Sequence, residues 1–63
     1  MKMKVSEMLK LIRDDGWELK GMKGSHRQFV HPTKKGKVTI NGKPGDTLDH
    51  FLVSSILNQA GLN

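Results

Sequence analysis

Sixty-three residues without a cysteine, carrying a net charge of +5, set the limits of this chain. A core of that size only just offsets chain entropy and does not divide, so one domain spanning 1–63 is expected, held by packing or by a partner rather than by disulfides or structural zinc. No apolar run approaches the roughly 20 residues of a membrane span and no apolar signal core follows Lys2 and Lys4, so no membrane association is expected and the cytoplasm is the expected location.

In "KVSEMLKLIRDDGW", Val5, Met8, Leu9 and Ile12 fall at i, i+3, i+4 and i+7. This spacing predicts an amphipathic helix, with Ser6 available as N-cap and Gly16 as a left-handed stop. The short segments "WELKGM", "SHRQFVH" and "KVTI" follow, separated by Lys23 and Gly24 and then by the Gly- and Pro-containing stretch 32–36. They predict an antiparallel three-stranded meander. "NGKPGDTL" reads as a loop. "DHFLVSSILNQAGL" then places Leu52, Val53, Ile56, Leu57 and Ala60 on one helical stripe, with Asp49 to cap its start and Gly61 to end it. The expected fold is α+β, in the order α-β-β-β-α, with both helices covering one face of the sheet.

Strand alternation assigns the faces, because neighbouring side chains point oppositely. Trp17, Leu19, Phe29, Val38 and Ile40 are the large apolar strand residues, and their face is expected beneath the helices. His26 has the opposite parity to Phe29. It is expected on the bare face with Gln28 and Val30, beside Glu18 and Lys20 of the first strand and Lys37 and Thr39 of the third. His31 shares the parity of Phe29 and belongs to the edge near Pro32.

Charge is distributed unevenly along these elements. From 20 to 43 there are seven basic residues and no acid, while Glu7, Asp14, Asp15, Glu18, Asp46 and Asp49 flank that stretch. A basic centre is the pattern expected where one surface meets phosphates, so RNA or another polyanion is the expected partner class.

The residue types narrow the chemistry. Asp14 and Asp15 are adjacent and diverge, Asp46 and Asp49 lie toward the other end of the chain, and the three His lack Cys partners or H-x-x-x-H spacing. Neither a built-in metal site nor a cofactor is therefore expected. "GMKGS" departs from the phosphate-binding fingerprints that open a helix and reads as a hairpin turn. A Ser25–His26 hydrolase is disfavoured, since adjacent strand residues face apart and no third group is evident. His26 among cations remains. An imidazole can accept the 2′-hydroxyl proton of RNA or protonate the leaving 5′-oxygen, while Lys and Arg offset charge on the phosphate. A non-catalytic RNA-binding module, with His26 merely exposed, is the alternative on the residues alone. Trp17, Phe29 and Phe51 are assigned to the core or its rim rather than to base stacking, and His50 to the first turn of the second helix.

Taken together, "DDGW", "GSHRQFVHPTKKGKVTI", "GKPGDTL" and "SILNQAGL" resemble the HicA (YcfA-like) toxins of bacterial toxin-antitoxin systems, over about 5–62. The resemblance implies a double-stranded-RNA-binding-domain-like fold and a metal-independent endoribonuclease, an mRNA interferase that halts translation. It places the catalytic histidine of the Gly-Ser-His element at His26, and it implies a HicB-like antitoxin partner that covers the active surface. Within that reading Lys20, Lys23, Ser25, Arg27 and Lys37 are the expected contacts to mRNA or other single-stranded RNA. The chain departs from the family pattern at Arg27, where many members carry a second His, at Asn41, where a Pro is common, and at His50-Phe51-Leu52, where Pro-Gly-Thr is common.

Overall fold

The computed structural model describes residues 2–62. The chain runs through β1 (Met3–Lys4), α1 (Val5–Asp14), β2 (Glu18–Lys23), β3 (His26–Val30), β4 (Val38–Ile40), β5 (Thr47–Leu48) and α2 (His50–Ala60). The α-β-β-β-α order is present, with β2, β3 and β4 forming an antiparallel sheet in that spatial order. The two remaining short strands, β1 and β5, form a separate antiparallel ladder. Met3 pairs with Leu48 and Lys4 with Thr47, so part of the expected loop "NGKPGDTL" is a strand that stitches the approach to α1 onto the approach to α2.

Helix ends follow from local chemistry. Ser6 is not the cap of α1: the helix starts two residues earlier than that cap would place it, at Val5, with Lys4 as N-cap and the Glu7 carboxylate accepting the Lys4 backbone N–H at 2.9 Å. The first-turn N–H groups of Val5 and Ser6, which no helix can satisfy internally, donate to the carbonyls of Asp46 and Pro44 at 2.9 and 3.1 Å. At the other end Gly16, at φ 105°, donates to the Arg13 carbonyl, and Trp17 donates to that of Ile12. This paired closure needs a left-handed residue, and a Cβ at Gly16 would also stand 2.7 Å from His31 Nε2. α2 starts as expected, with Asp49 Oδ1 accepting the Leu52 N–H at 2.9 Å, and ends at Gly61 by the same paired closure onto Asn58 and Leu57.

Both helices bury their stripes against one side of the sheet. Val5, Met8 and Ile12 of α1 and Val53, Ile56 and Ala60 of α2 close over Trp17, Phe29, Val38, Ile40 and Leu48. Leu19 was expected in this core and lies outside it, 46% exposed, because β2 is the edge strand and the helices do not reach across it. Leu52, also expected on the buried stripe, is half exposed on α2. The shortest dimension of the molecule, 16 Å, accommodates two layers, so the second face of the sheet is left bare.

A polar knot joins the C-terminal ends of the helices. Lys34 pairs with the Asp15 carboxylate and donates to the Ala60 carbonyl at 3.0 Å, and Trp17 Nε1 donates to the same carboxylate at 3.2 Å. His31 Nδ1 accepts the backbone N–H groups of Thr33 and Lys34, each at 3.1 Å, which assigns its proton to Nε2, the donor to the Asp15 carbonyl at 2.7 Å. The hydrogen bond from Lys34 holds the Asp15 carboxyl below its ordinary value of 3.8, against an opposing push from burial. A carboxylate lowered in the folded state contributes stability above the unfolded value and loses it as pH falls through the folded one. Thermal melts between pH 7 and pH 2 are therefore expected to show wild type losing stability below about pH 4, with Asp15→Asn losing less over the same interval.

Candidate nucleic-acid interface

The bare face is built by the β2–β3 hairpin. His26, Gln28 and Thr39 are exposed, alternating with buried Arg27, Phe29, Val38 and Ile40. Gln28 stands opposite Thr39, which continues the face onto β4, and Lys23 stands opposite His26, which continues it onto β2. Gly24 and Ser25 form the two-residue turn between the strands, with Gly24 at φ 60°, the left-handed position such turns require. Ser25 thus belongs to the turn rather than to the strand. Lys37 is exposed immediately before β4, in line with Thr39. Lys20 is exposed where the β2–β3 register shifts, between Leu19 and Gly21.

Arg27 departs from the expectation. It shares the parity of Phe29, is only 9% exposed, and its Nη1 donates to the Gly42 carbonyl at 2.6 Å. A buried guanidinium held this way ties β3 to the loop after β4, on the face away from His26. The strand alternation that placed His26 outward already places residue 27 inward, and that signal identifies Arg27 as a structural residue.

The two strand-end histidines are treated oppositely. His31 is held by hydrogen bonds at both ring nitrogens and by an edge contact with Trp17, ring centroids 5.2 Å apart. His26 is exposed, and among the described residues no hydrogen bond, ion pair or ring contact engages its ring. An imidazole in that setting is available to a ligand. Among the described residues, no three His, Cys, Asp or Glu side chains converge as a metal site would need.

Compared with known protein families, residues 5–62 match the HicA toxin of bacterial toxin-antitoxin systems. The chain belongs to the HicA toxin family. No curated protein matches it closely enough to add a nearer relative. As a HicA-family member the chain has a toxin role, and with it a pairing to an antitoxin. No helix among the described residues is long and apolar enough to cross a membrane. In this HicA-family chain the Gly-Ser-His element occupies the turn and the first residue of β3, so its histidine emerges at the turn end of the hairpin. Arg27, where many family members carry a second His, is directed into the core.

Stability measurements separate these roles. Arg27→Met orphans the Gly42 carbonyl and His31→Ala orphans the N–H groups of Thr33 and Lys34, so each is expected to cost about 1–3 kcal/mol in denaturant unfolding. His26→Ala, at an exposed unbonded position, is expected to stay within about 0.5 kcal/mol of wild type.

Proposed function

We propose that this HicA-family chain is a metal-independent endoribonuclease, an mRNA interferase acting in the cytoplasm. Its RNA contacts lie on the bare sheet face, and His26 carries one of the two proton transfers. The observation that supports it most is the unbonded His26 imidazole at the end of an exposed face that also bears Lys23. RNA supplies its own nucleophile, and DNA lacks it. The 2′-oxygen attacks the adjacent phosphorus, the bond to the 5′-oxygen breaks, and the products are a 2′,3′-cyclic phosphate and a 5′-hydroxyl. One proton leaves the 2′-oxygen and one joins the 5′-oxygen, so the balance needs no added reactant. His26 serves one transfer and solvent the other.

Lys20, Lys23 and Lys37 hold phosphates and Ser25 offers a hydroxyl beside His26; Arg27, bound to Gly42, is left out of the set. A HicB-like antitoxin is the proposed partner, covering this face when the pair is assembled. A non-catalytic RNA-binding module would use the same lysines and make His26 dispensable.

Incubating purified protein with a defined RNA in excess chelator tests the reading. Wild type is expected to cleave and leave cyclic-phosphate ends, and His26→Ala to bind RNA without cleaving it. Binding without cleavage by either protein would favour the module, and equal cleavage by both would remove His26 from the mechanism. Affinity is also expected to fall with salt, with a log–log slope of about −2 for three lysines on single-stranded RNA at about 0.7 each. A slope near zero would contradict phosphate contacts on this face.

A further inference from the structure

The register of β2 contains a displacement that bears on the chemistry. Leu19 pairs with Phe29, and Lys23 pairs with His26. In an unbroken strand, residues four apart share a face. Yet Phe29 is buried while His26 is exposed on the other side of β3, and paired residues share the face of their partners. The register shift between Leu19 and Gly21 resolves this, because an extra residue at Lys20 turns the remainder of β2 over. Without it, the strand that directs Leu19 toward the helix side would direct Lys23 there as well. With it, Met22 takes the helix side opposite Arg27, and Lys23 comes up beside the histidine.

The lysines of this face are not equivalent in position. Directly opposed residues hold their Cβ atoms about 4.5–5.5 Å apart, so Lys23 and His26 reach the same phosphate. Lys37 precedes Val38, the partner of Phe29, and so lines up beside Val30. That is four residues along β3 from His26, or about 13 Å at strand rise. Lys37 therefore serves a different phosphate. The Lys23–His26 pair closes a two-residue turn, which fixes the separation of the two side chains' origins, and among the described residues no acid pairs with the Lys23 ammonium.

We infer that Lys23 is a second catalytic residue, whose ammonium holds the non-bridging oxygens of the phosphate under attack while His26 moves a proton. This inference rests on the proposed cleavage of RNA at this face. As the 2′-oxygen adds to phosphorus and before the bond to the 5′-oxygen breaks, negative charge concentrates on those oxygens. A cation placed against them stabilises the transition state more than the bound substrate. A lysine that only guarded the free edge of β2, or only gathered RNA, would act on solubility or affinity and leave the rate at saturation unchanged.

The test is single-turnover cleavage at saturating RNA, with affinity read separately on 2′-O-methyl RNA, which cannot be cleaved. Lys23→Met is expected to lower the saturating rate about ten- to a hundred-fold, somewhat less than loss of a buried oxyanion donor because the site is open to water. Its affinity is expected to change only a few-fold. Lys23→Arg is expected to restore most of the rate. Exchanging the neighbours, as Met22→Lys with Lys23→Met, keeps the net charge and moves the ammonium to the other face, so it is expected to be as slow as Lys23→Met. Lys35→Met, which removes one charge in the loop after β3, is expected to match wild type. Circular dichroism checks folding, which an exposed strand-end residue is not expected to disturb. A wild-type saturating rate for Lys23→Met, or a rate restored by the exchange, overturns the inference while leaving His26 in place. Absence of His26-dependent cleavage in wild type overturns the underlying reading and the inference with it.

Discussion

The Lys34 ammonium is the point on which the fold turns. It binds the Asp15 carboxylate just past α1 and the Ala60 carbonyl at the end of α2. Helix C-termini present partial negative charge, and one cation placed where two such ends meet satisfies both. Lys34 lies in the connection between β3 and β4, so the same contact fixes how the sheet leaves its central strand. His31 completes the arrangement by accepting the N–H groups of Thr33 and Lys34 and donating to Asp15. The polar knot thus sets the far end of β3 relative to both helices, and the near end carries the proposed chemistry.

Along β3 the division between structure and chemistry is one residue wide. Arg27 and Phe29 point into the molecule, one toward the Gly42 carbonyl and the other into the apolar cluster; His26 and Gln28 point away from it. A short sheet covered on one side achieves this without a cleft. Packing on the covered side holds the backbone straight, and side chains on the other side take their spacing from the ladder. The free edge of β4 is covered by α2, whose Gln59 Oε1 accepts the Thr39 N–H at 3.2 Å, a contact that blunts an otherwise open pairing edge.

Much of this was legible in the sequence because it rests on local rules. Apolar spacing identified both helices, Asp49, Gly16 and Gly61 marked their boundaries, and alternation placed His26 outward and Phe29 inward. What escaped depends on contacts distant in sequence. The β1–β5 ladder is two residues long at each strand, too short to leave a periodic signature, and the start of α1 is fixed by carbonyls at Pro44 and Asp46 that no cap residue announces. Leu19 was misplaced because alternation gives the face of a side chain and not whether a helix extends over it. The register shift at Lys20 is likewise silent in residue type, and it decides where Lys23 stands. Arg27 was legible by parity, but its positive charge suggested a phosphate contact that its position does not support.

The two-residue turn at Gly24 and Ser25 has a consequence for the order of folding. Its hairpin needs no distant partner and such units close within about 1–10 μs, whereas the ladder joining residue 3 to residue 48 requires most of the chain. An isolated two-stranded hairpin is marginal in water, however, and gains rigidity only when a third strand and helices pack on it. During synthesis, at about 5–20 residues per second, the segment bearing His26 and Lys23 is therefore complete on the order of seconds before α2 exists to hold it flat. The proposed reactive pair is encoded locally, but the rigidity of its geometry is delivered by a helix made after it.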